Sequence, residues 1–374
     1  TVPGFCASSG CHEKTFDRTY IRVYAFEMNN RLRTEESGAP VNINDIASEL
    51  GVSKTTVSRA LSGKGRIGKE TREKVLSHIK DRGYSPNLIA KSLAVSKTFN
   101  IAVAVPRDTD VREIPFFQEC LYGITKAAEA REYDVVLAIT TGEDISSLKR
   151  IVRNRKVDGL ILTRPLAGDK AIAYLGETSL PFVVIGSPEN RDVHHVDSNH
   201  RSGCMKATEH VLDSGFVRHV LLGGNPDHRV NRDRLTGYLD AVKKYGGEDN
   251  GGLRQLIWGM EGQREIEAVL PGIMKNRPDC LICMDDVIAT HVLAWLYRKG
   301  FTVPDDVALV SFHDSTVMES YHPSVSALHI NVQKLASLAG NTIIDLIEGK
   351  PVEKANSVPS RFMIRDSSRV HSRG

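Results

Sequence analysis

Six cysteines among 374 residues are too few and too scattered for a disulfide framework. Cys120, Cys204, Cys280 and Cys283 sit in apolar or helical contexts, as the buried thiols of a reduced cytosolic protein would. Cys280 and Cys283 form a CxxC, but DCLICMDD reads as a strand. A spacing of three on a strand points two side chains to opposite faces, which argues against a metal or redox pair. Cys6 and Cys11-His12 resemble half of a zinc site with no second half following. Long apolar runs are missing as well: nothing approaches the roughly 18 residues a membrane helix needs. The opening TVPGFCASSGCHEKTFDRTYIRVYAFE has no apolar core leading to a small-residue cleavage site, so it does not read as a secretory signal. Catalytic motifs are absent too. There is no GxxxxGK[ST], no HExxH and no GxSxG, and GGNP is not a dinucleotide loop. His194, His195 and His200 fall in what reads as a polar loop without ligand spacing. An enzyme, a cofactor, a metal and a membrane are all unexpected.

What is present is an ordinary soluble composition, 41% hydrophobic and 25% charged, with an uneven distribution of charge. Residues 41–100 carry 11 Lys and Arg against 5 Asp and Glu, a net of +6. Residues 1–40 are balanced, and residues 101–374 have a net of −3. A basic module joined to a mildly acidic body points to a polyanion-binding head on a regulatory or catalytic domain. Residues 1–40 show no clear period and are expected to form a disordered extension.

The basic module has a helical grammar. In INDIASEL, residues 43–50, Ile43, Ile46, Ala47 and Leu50 recur at i, i+3, i+4 and i+7, with Asn42 placed to cap and Asp45 in the first turn. Gly51-Val52 breaks the pattern, and Ser53 is placed to cap a second helix over 54–61. On that helix Val57, Ala60 and Leu61 share one side, while Thr55, Thr56, Ser58 and Arg59 point elsewhere. A third helix follows in KETREKVLSHIKDRG, with Val75, Leu76 and Ile79 inward. Two short helices joined by a tight turn and supported by a third make a helix-turn-helix unit. Pro86 blocks continuation, and NLIAKSLA is a short helical pattern beyond it.

From Phe99 the texture changes. IAVAV, YDVVLAI, VDGLIL and PFVVIG are apolar runs of strand length separated by helical stretches. Strands buried on both faces and alternating with helices indicate a parallel sheet of βαβ units. The pattern restarts at VRHVLLGG, 217–224, with helices expected at 231–245, 262–276 and 286–299 and strands at CLICMDD and VALVSF. Two similar α/β lobes are expected, with the last helix, 332–348, and FMIR crossing back. The expected boundaries are 41–85 for the head, 86–98 for a hinge helix and linker, 99–368 for the two-lobed body and 369–374 for a tail.

The stretch VNINDIASELGVSKTTVSRALSGKGRIGKETREKVLSHIKDRGYSPNLIAKSLA strongly resembles the DNA-binding head of LacI/GalR-type transcriptional regulators. The resemblance continues through IAVAVP, VDGLIL, RLTGYLDAV, CMDDVIA and VALVSF, and so covers about 41–368. It implies an α-helical helix-turn-helix head plus an α/β body of two similar doubly wound, parallel-sheet, periplasmic-binding-protein-like lobes. It also implies a homodimer on a pseudo-palindromic double-stranded operator and a small effector, usually a sugar, between the lobes. Lys54, Thr55 and Arg59 occupy the family's base-reading positions, and Ser53, Thr56 and Ser58 fit phosphate or packing contacts. NLIAKSLA corresponds to the hinge helix, placing Asn87, Ala90, Lys91 and Leu93 at the minor groove, with Leu93 as the wedge. Lys91 stands where many relatives carry Arg.

For the effector, the resemblance points to Phe116 and Phe117 as stacking residues and to Arg234 as a clamp for hydroxyls or a carboxylate. Asp285 is the expected hydroxyl acceptor, Asp286 the alternative cap of the following helix, and Arg164 a further contact from the first lobe. One departure matters. Many relatives have Gly-Phe-Asp-Asp after the last strand of the second lobe, where this chain has Ser311-Phe312-His313-Asp314. An imidazole in place of an anion near Arg234 favours a sugar acid; a neutral sugar, with His313 bonded locally, is the other reading. A periplasmic-type binding protein would not carry the basic head, and a ligand-independent architectural DNA binder would not need two lobes. No leucine heptad ends the sequence, so a dimer is expected.

Overall fold

The structure, a computed structural model, describes residues 41–62, 65–82, 96–107, 114–246 and 254–369. Its contacts divide the chain between Ser96 and Lys97. The expected N-terminal extension, the residues Asn87, Ala90, Lys91 and Leu93, and the tail beyond Arg369 lie outside the described residues.

The head contains α1 (Ile43–Leu50), α2 (Lys54–Ser62) and α3 (Lys69–Asp81). Asn42 and Asp45 form a reciprocal cap: the Asn42 Oδ1 accepts from the Asn44 N–H, and the Asp45 Oδ2 accepts from the Asn42 N–H, both at 2.8 Å. Gly51 ends α1 at a left-handed φ of +64°, a conformation that favours glycine. The Ser53 Oγ then accepts from the Thr56 N–H at 3.1 Å and starts α2; such a cap is worth about 1 kcal/mol. Ile46, Ala47, Val57, Ala60, Val75 and Ile79 make one buried cluster. Leu76, expected inward, is 40% exposed. Val75 and Ile79 take the inward face at i and i+4, and the next residue is turned about 100° away from it. Glu49 ties α1 to α3, accepting from Arg82 Nε at 3.1 Å and pairing with His78 Nε2 at 2.6 Å.

The body holds two six-stranded sheets. The N-terminal lobe consists of β1 (Asn100–Pro106), β2 (Asp134–Thr140), β3 (Gly159–Leu162), β4 (Phe182–Ile185), β5 (His195–Asp197) and β11 (Ala355–Ser357), ordered β11-β5-β4-β3-β1-β2 and all parallel. The C-terminal lobe consists of β6 (His219–Leu222), β7 (Arg254–Ile257), β8 (Cys280–Cys283), β9 (Ala308–Ser311), β10 (Ser326–Ile330) and β12 (Ser360–Met363), ordered β12-β10-β9-β8-β6-β7. In this sheet, among the described residues, the β10–β12 pairing is antiparallel and the others are parallel. The chain passes between lobes after β5, after β10 and after β11.

Continuous apolar strands feed both faces of each sheet, because successive side chains alternate. Ile101, Val103 and Val105 enter one core of the first lobe, and Ala102 and Ala104 enter the other. In β8, Cys283 joins one core of the second lobe and Cys280 the opposite one, so the two thiols are separated by the sheet. Burial raises both thiols far above the ordinary range. β2 departs from the expectation of burial on both faces. It is an edge strand, with Leu137 52% and Ile139 55% exposed.

The remaining helices are α4 (Pro115–Glu129), α5 (Ser146–Arg153), α6 (Lys170–Gly176), α7 (His200–Asp213), α8 (Arg229–Lys244), α9 (Gln263–Lys275), α10 (Asp286–Arg298), α11 (Thr316–Ser320) and α12 (Val332–Ile347). Although α12 follows a strand of the second lobe, Leu335, Ala336, Ala339 and Ile343 bury it in the core of the first, beside Cys120 and Ile124 of α4. Burying a side chain the size of Leu335 or Ile343 is worth roughly 1.5–3 kcal/mol. That burial holds the crossing chain in place.

Candidate functional sites in the head and the body

Helix α2 puts its two faces to different uses. Val57 and Ala60 are buried in the head core, while Ser53, Lys54, Thr55, Ser58 and Arg59 are exposed. Thr56 is half-buried, and its hydroxyl meets the Ser53 hydroxyl at 2.9 Å. Arg59 lies over Gly65, where an added Cβ would come within 3.2 Å of Arg59 Cδ and Nε. The exposed face thus presents two cations and several short hydroxyls, with no acidic residue in the helix. Such a surface suits phosphates and base edges.

In the body, a cavity of about 340 Å³ lies between the lobes. The loops that line it leave the carboxyl ends of β1, β3, β4 and β5 on one side and of β6, β7, β8 and β9 on the other. That is where open α/β sheets place their ligands, because loops and helix N-termini converge there. Phe116, Phe117, Arg164, Arg234, Asp285 and His313 all line this one cavity. Phe116 sits edge-on to Phe117 at 5.4 Å between centroids and edge-on to His313 at 5.9 Å, so it spans from the first lobe to the second.

The lobes are also joined at the cavity rim. The Ala167 N–H donates to the Asp227 carbonyl at 3.0 Å, and the Arg229 N–H donates to the Pro165 carbonyl at 3.3 Å. Arg229 faces Glu189 at 3.6 Å across the same rim.

Asp285 is the cap of α10, its Oδ1 accepting from the Ile288 N–H at 2.8 Å. Asp286 instead pairs with His313, Oδ1 to Nδ1 at 3.1 Å, with both side chains buried. Asp285, and not Asp286 as the alternative expectation had it, therefore caps the helix. An extended backbone at Asp285 precedes the first helical residue, and only a side chain there can reach back to the free N–H groups of the first turn. Burial and the adjacent Asp286 raise the Asp285 carboxyl above its ordinary value. Burial opposes the charge of Asp286 too, but the neighbouring His313 and its hydrogen bond hold that carboxyl below its ordinary value.

Several cavity residues carried no sequence signal. His200, expected in a polar loop, is the first residue of α7; Asn199 before it adopts a left-handed φ of +48° and caps the helix through Ser202. His195, from the same cluster, is buried on β5. The His200 Nε2 meets the Ser198 hydroxyl at 3.1 Å. Burial and the Arg234 charge push the His200 imidazole down to about 3, against the pull of Asp197. Asp197 itself accepts from the Ser187 hydroxyl. Asn231, one turn before Arg234, accepts from its Nη1 at 3.3 Å and donates to the Asn225 carbonyl at 2.9 Å. Among the described residues, no group of three or more His, Cys, Asp and Glu side chains could hold a metal ion. No helix among them is long and apolar enough to cross a membrane.

An exposed basic helix-turn-helix and a two-lobed body with a cavity at its strand ends point to the class of DNA-binding transcriptional regulators. Comparison with known proteins agrees with that class. Residues 42–87 match the bacterial regulatory proteins of the lacI family, and residues 208–368 match the periplasmic binding protein-like domain. The chain is 34% identical over 320 residues to the HTH-type transcriptional regulator MalR of Streptococcus pneumoniae serotype 4, covering 82% of this chain and 93% of that one. Among solved structures it is similar to a transcriptional regulator CelR–cellobiose complex, with a TM-score of 0.65 and 26% identity over 87% of this chain and 99% of that one. The fold also matches the Lac repressor dimer bound to operator and the anti-inducer ONPF, with a TM-score of 0.75 and 22% identity over 89% of this chain and all of that one. The chain belongs to the LacI family of transcriptional regulators, which are not enzymes.

Proposed function

We propose that this regulator binds a pseudo-palindromic operator as a homodimer and acts as a repressor. A small sugar or sugar acid in the interlobe cavity controls that binding. The observation that carries the reading is the cavity itself, a space lined by polar and apolar side chains of both lobes in a chain that also bears a lacI-type head. A ligand touching both lobes can favour one lobe arrangement over another, and only such differential contact can move an equilibrium.

In this reading Lys54, Thr55 and Arg59 meet base edges, while Ser53, Thr56 and Ser58 hold phosphates or pack. Asn87, Ala90, Lys91 and Leu93 serve the minor groove. A homodimer is supported by the exposed Leu137 and Ile139 on edge strand β2, with Leu256 on β7, the corresponding edge of the second sheet. It is supported too by the Lac repressor, which binds operator as a dimer. A sugar-like effector is supported by a lining that sets Phe116 and Phe117 beside the polar groups of Arg164, Arg234 and Asp285, and by cellobiose in the CelR complex. A cytoplasmic location follows from action on DNA.

The test is DNA selection with the full chain, followed by gel shifts with and without candidate ligands. A palindromic consensus and a ligand-dependent affinity are expected. A bound ligand that leaves operator affinity unchanged would sink the regulatory role and favour a ligand-independent architectural binder.

A further inference from the structure

We infer that the body has a DNA-binding surface of its own, a basic patch at the end of α5 that holds backbone phosphates flanking the operator. The inference builds on the operator binding proposed above and concerns the end of the first lobe opposite the interlobe cavity.

The stretch LKRIVRNRKV, residues 148–157, holds five cations and no acid. Residues 101–374 have a net charge of −3, which becomes −8 once these five are set aside, so the patch is a basic island on an acidic body. Leu148, Ile151 and Val157 are buried in the lobe, while Lys149, Arg150, Arg153, Arg155 and Lys156 are all exposed. The Lys149 ammonium lies over the Tyr174 ring, 5.4 Å from its centroid. Among the described residues, Arg150, Arg153, Arg155 and Lys156 have no ion pair. The acids in the adjoining sequence are engaged elsewhere. Glu143 pairs with Lys170, and the Asp144 Oδ1 accepts from the Ser146 N–H at 2.9 Å. Asp158 accepts from the Thr98 and Phe99 N–H groups, both at 2.8 Å. A helix C-terminus attracts a cation or two, but it does not call for Arg155 and Lys156 beyond the helix end. Lys149 and Arg153 moreover repel each other at i and i+4. A cluster of like charge without internal partners is matched by a polyanion.

Position selects which polyanion. The strands of the first sheet are parallel, and α5 runs back from the carboxyl end of β2 to the amino end of β3. Its last turn therefore lies at the amino ends of the strands, where the chain also enters the body. The Asn100 side chain at the start of β1 donates to the Lys156 carbonyl at 3.2 Å, so the patch touches the strand into which the head leads. Residues 83–95 join the head to this end of the body, and such a tether gives DNA held by the head a high effective concentration here. A duplex carries a negative charge about every 1.7 Å along its axis. Long exposed cations can follow that repeat without reading sequence.

Fluorescence anisotropy of the full chain between about 50 and 200 mM salt tests this. The probes are the duplex recovered by DNA selection, trimmed to its palindrome, and the same duplex with about ten base pairs added on each side. The extended duplex is expected to bind roughly tenfold tighter at the lowest salt, with a salt slope steeper by about 2–3. Combining Arg153→Gln, Arg155→Gln and Lys156→Gln should erase that gain and leave affinity for the trimmed duplex unchanged. Lys156→Gln alone should remove about one unit of slope. Lysine at both arginine positions should keep the gain, since a phosphate accepts a point charge. An extended duplex that binds no tighter than the trimmed one overturns the inference, as does a gain that survives the triple variant. A triple variant whose mass in sedimentation departs from the parent's also overturns it, assigning the patch to contact between copies. If selection yields no palindrome, the operator reading fails alone. The patch is then tested on a random duplex of the extended length, where the triple variant should still lower the slope by about 2–3; an unchanged slope there overturns it.

Discussion

The polar face of α2 and the polar wall of the interlobe cavity both present cations and hydroxyls, but they hold them under opposite conditions. Lys54, Thr55, Ser58 and Arg59 are exposed, so water satisfies them until another partner arrives. Arg234 and His313 are buried at 6% and 5% exposure, so their environment is fixed by the protein. The head keeps its chemistry on one helix; the cavity gathers it from loops more than a hundred residues apart. The difference shows why one surface can be read from nine consecutive residues of α2 and the other only from a fold.

Acid separates the two regions most strongly. An unfolded histidine titrates near 6.5, whereas His200 is pushed down to about 3 by burial and Arg234. Between those values the unfolded chain binds a proton that the folded body excludes. Body stability is therefore full above about pH 6.5 and declines as pH falls, by about 1.4 kcal/mol per unit and about 3 kcal/mol by pH 4. In the head, His78 and Arg82 hold the Glu49 carboxyl below its ordinary 4.5, so its contribution persists down to that range and is lost only below it. Urea titrations across pH should show the body weakening first, with a flatter dependence in His200→Gln; identical slopes in the two proteins would refute the assignment.

Core truncation separates the regions next. Ile46→Ala should cost the head about 3 kcal/mol, since Ile46 is fully buried in its single small cluster. Ligand affinity measured by calorimetry should be unchanged. Arg59→Ala is the mildest break, removing roughly 1–3 kcal/mol of operator discrimination while leaving head stability and ligand binding as they were. A uniform loss of affinity across all DNA sequences would instead make Arg59 a phosphate contact.

Much of the fold was legible because the strands are buried on both faces and the helices carry full periods. The helix expected at 231–245 is found at Arg229–Lys244, and that at 332–348 at Val332–Ile347. What escaped was short or two-sided. Strands β5 and β11 have three residues each, too few to show alternation, and an exposed edge strand such as β2 has the same apolar text as a central one. Within the cavity, the aromatic pair, both arginines, Asp285 and His313 could be nominated from the resemblance. His200, Asn231 and Asp197 could not, since nothing in their local sequence says that the loops meet.

The sequence by itself determined the helix-turn-helix, through its caps, its periods and the left-handed Gly51, because those are interactions between residues three or four apart. It also determined the alternation of apolar strands and helices that makes two α/β lobes. Tertiary structure alone decided which aspartate caps α10 and which pairs with His313, because a hydrogen bond across 27 residues depends on where β8 and β9 end. It alone decided that Arg234 would be buried. Burial is a property of everything packed around a side chain, and no local pattern encodes it.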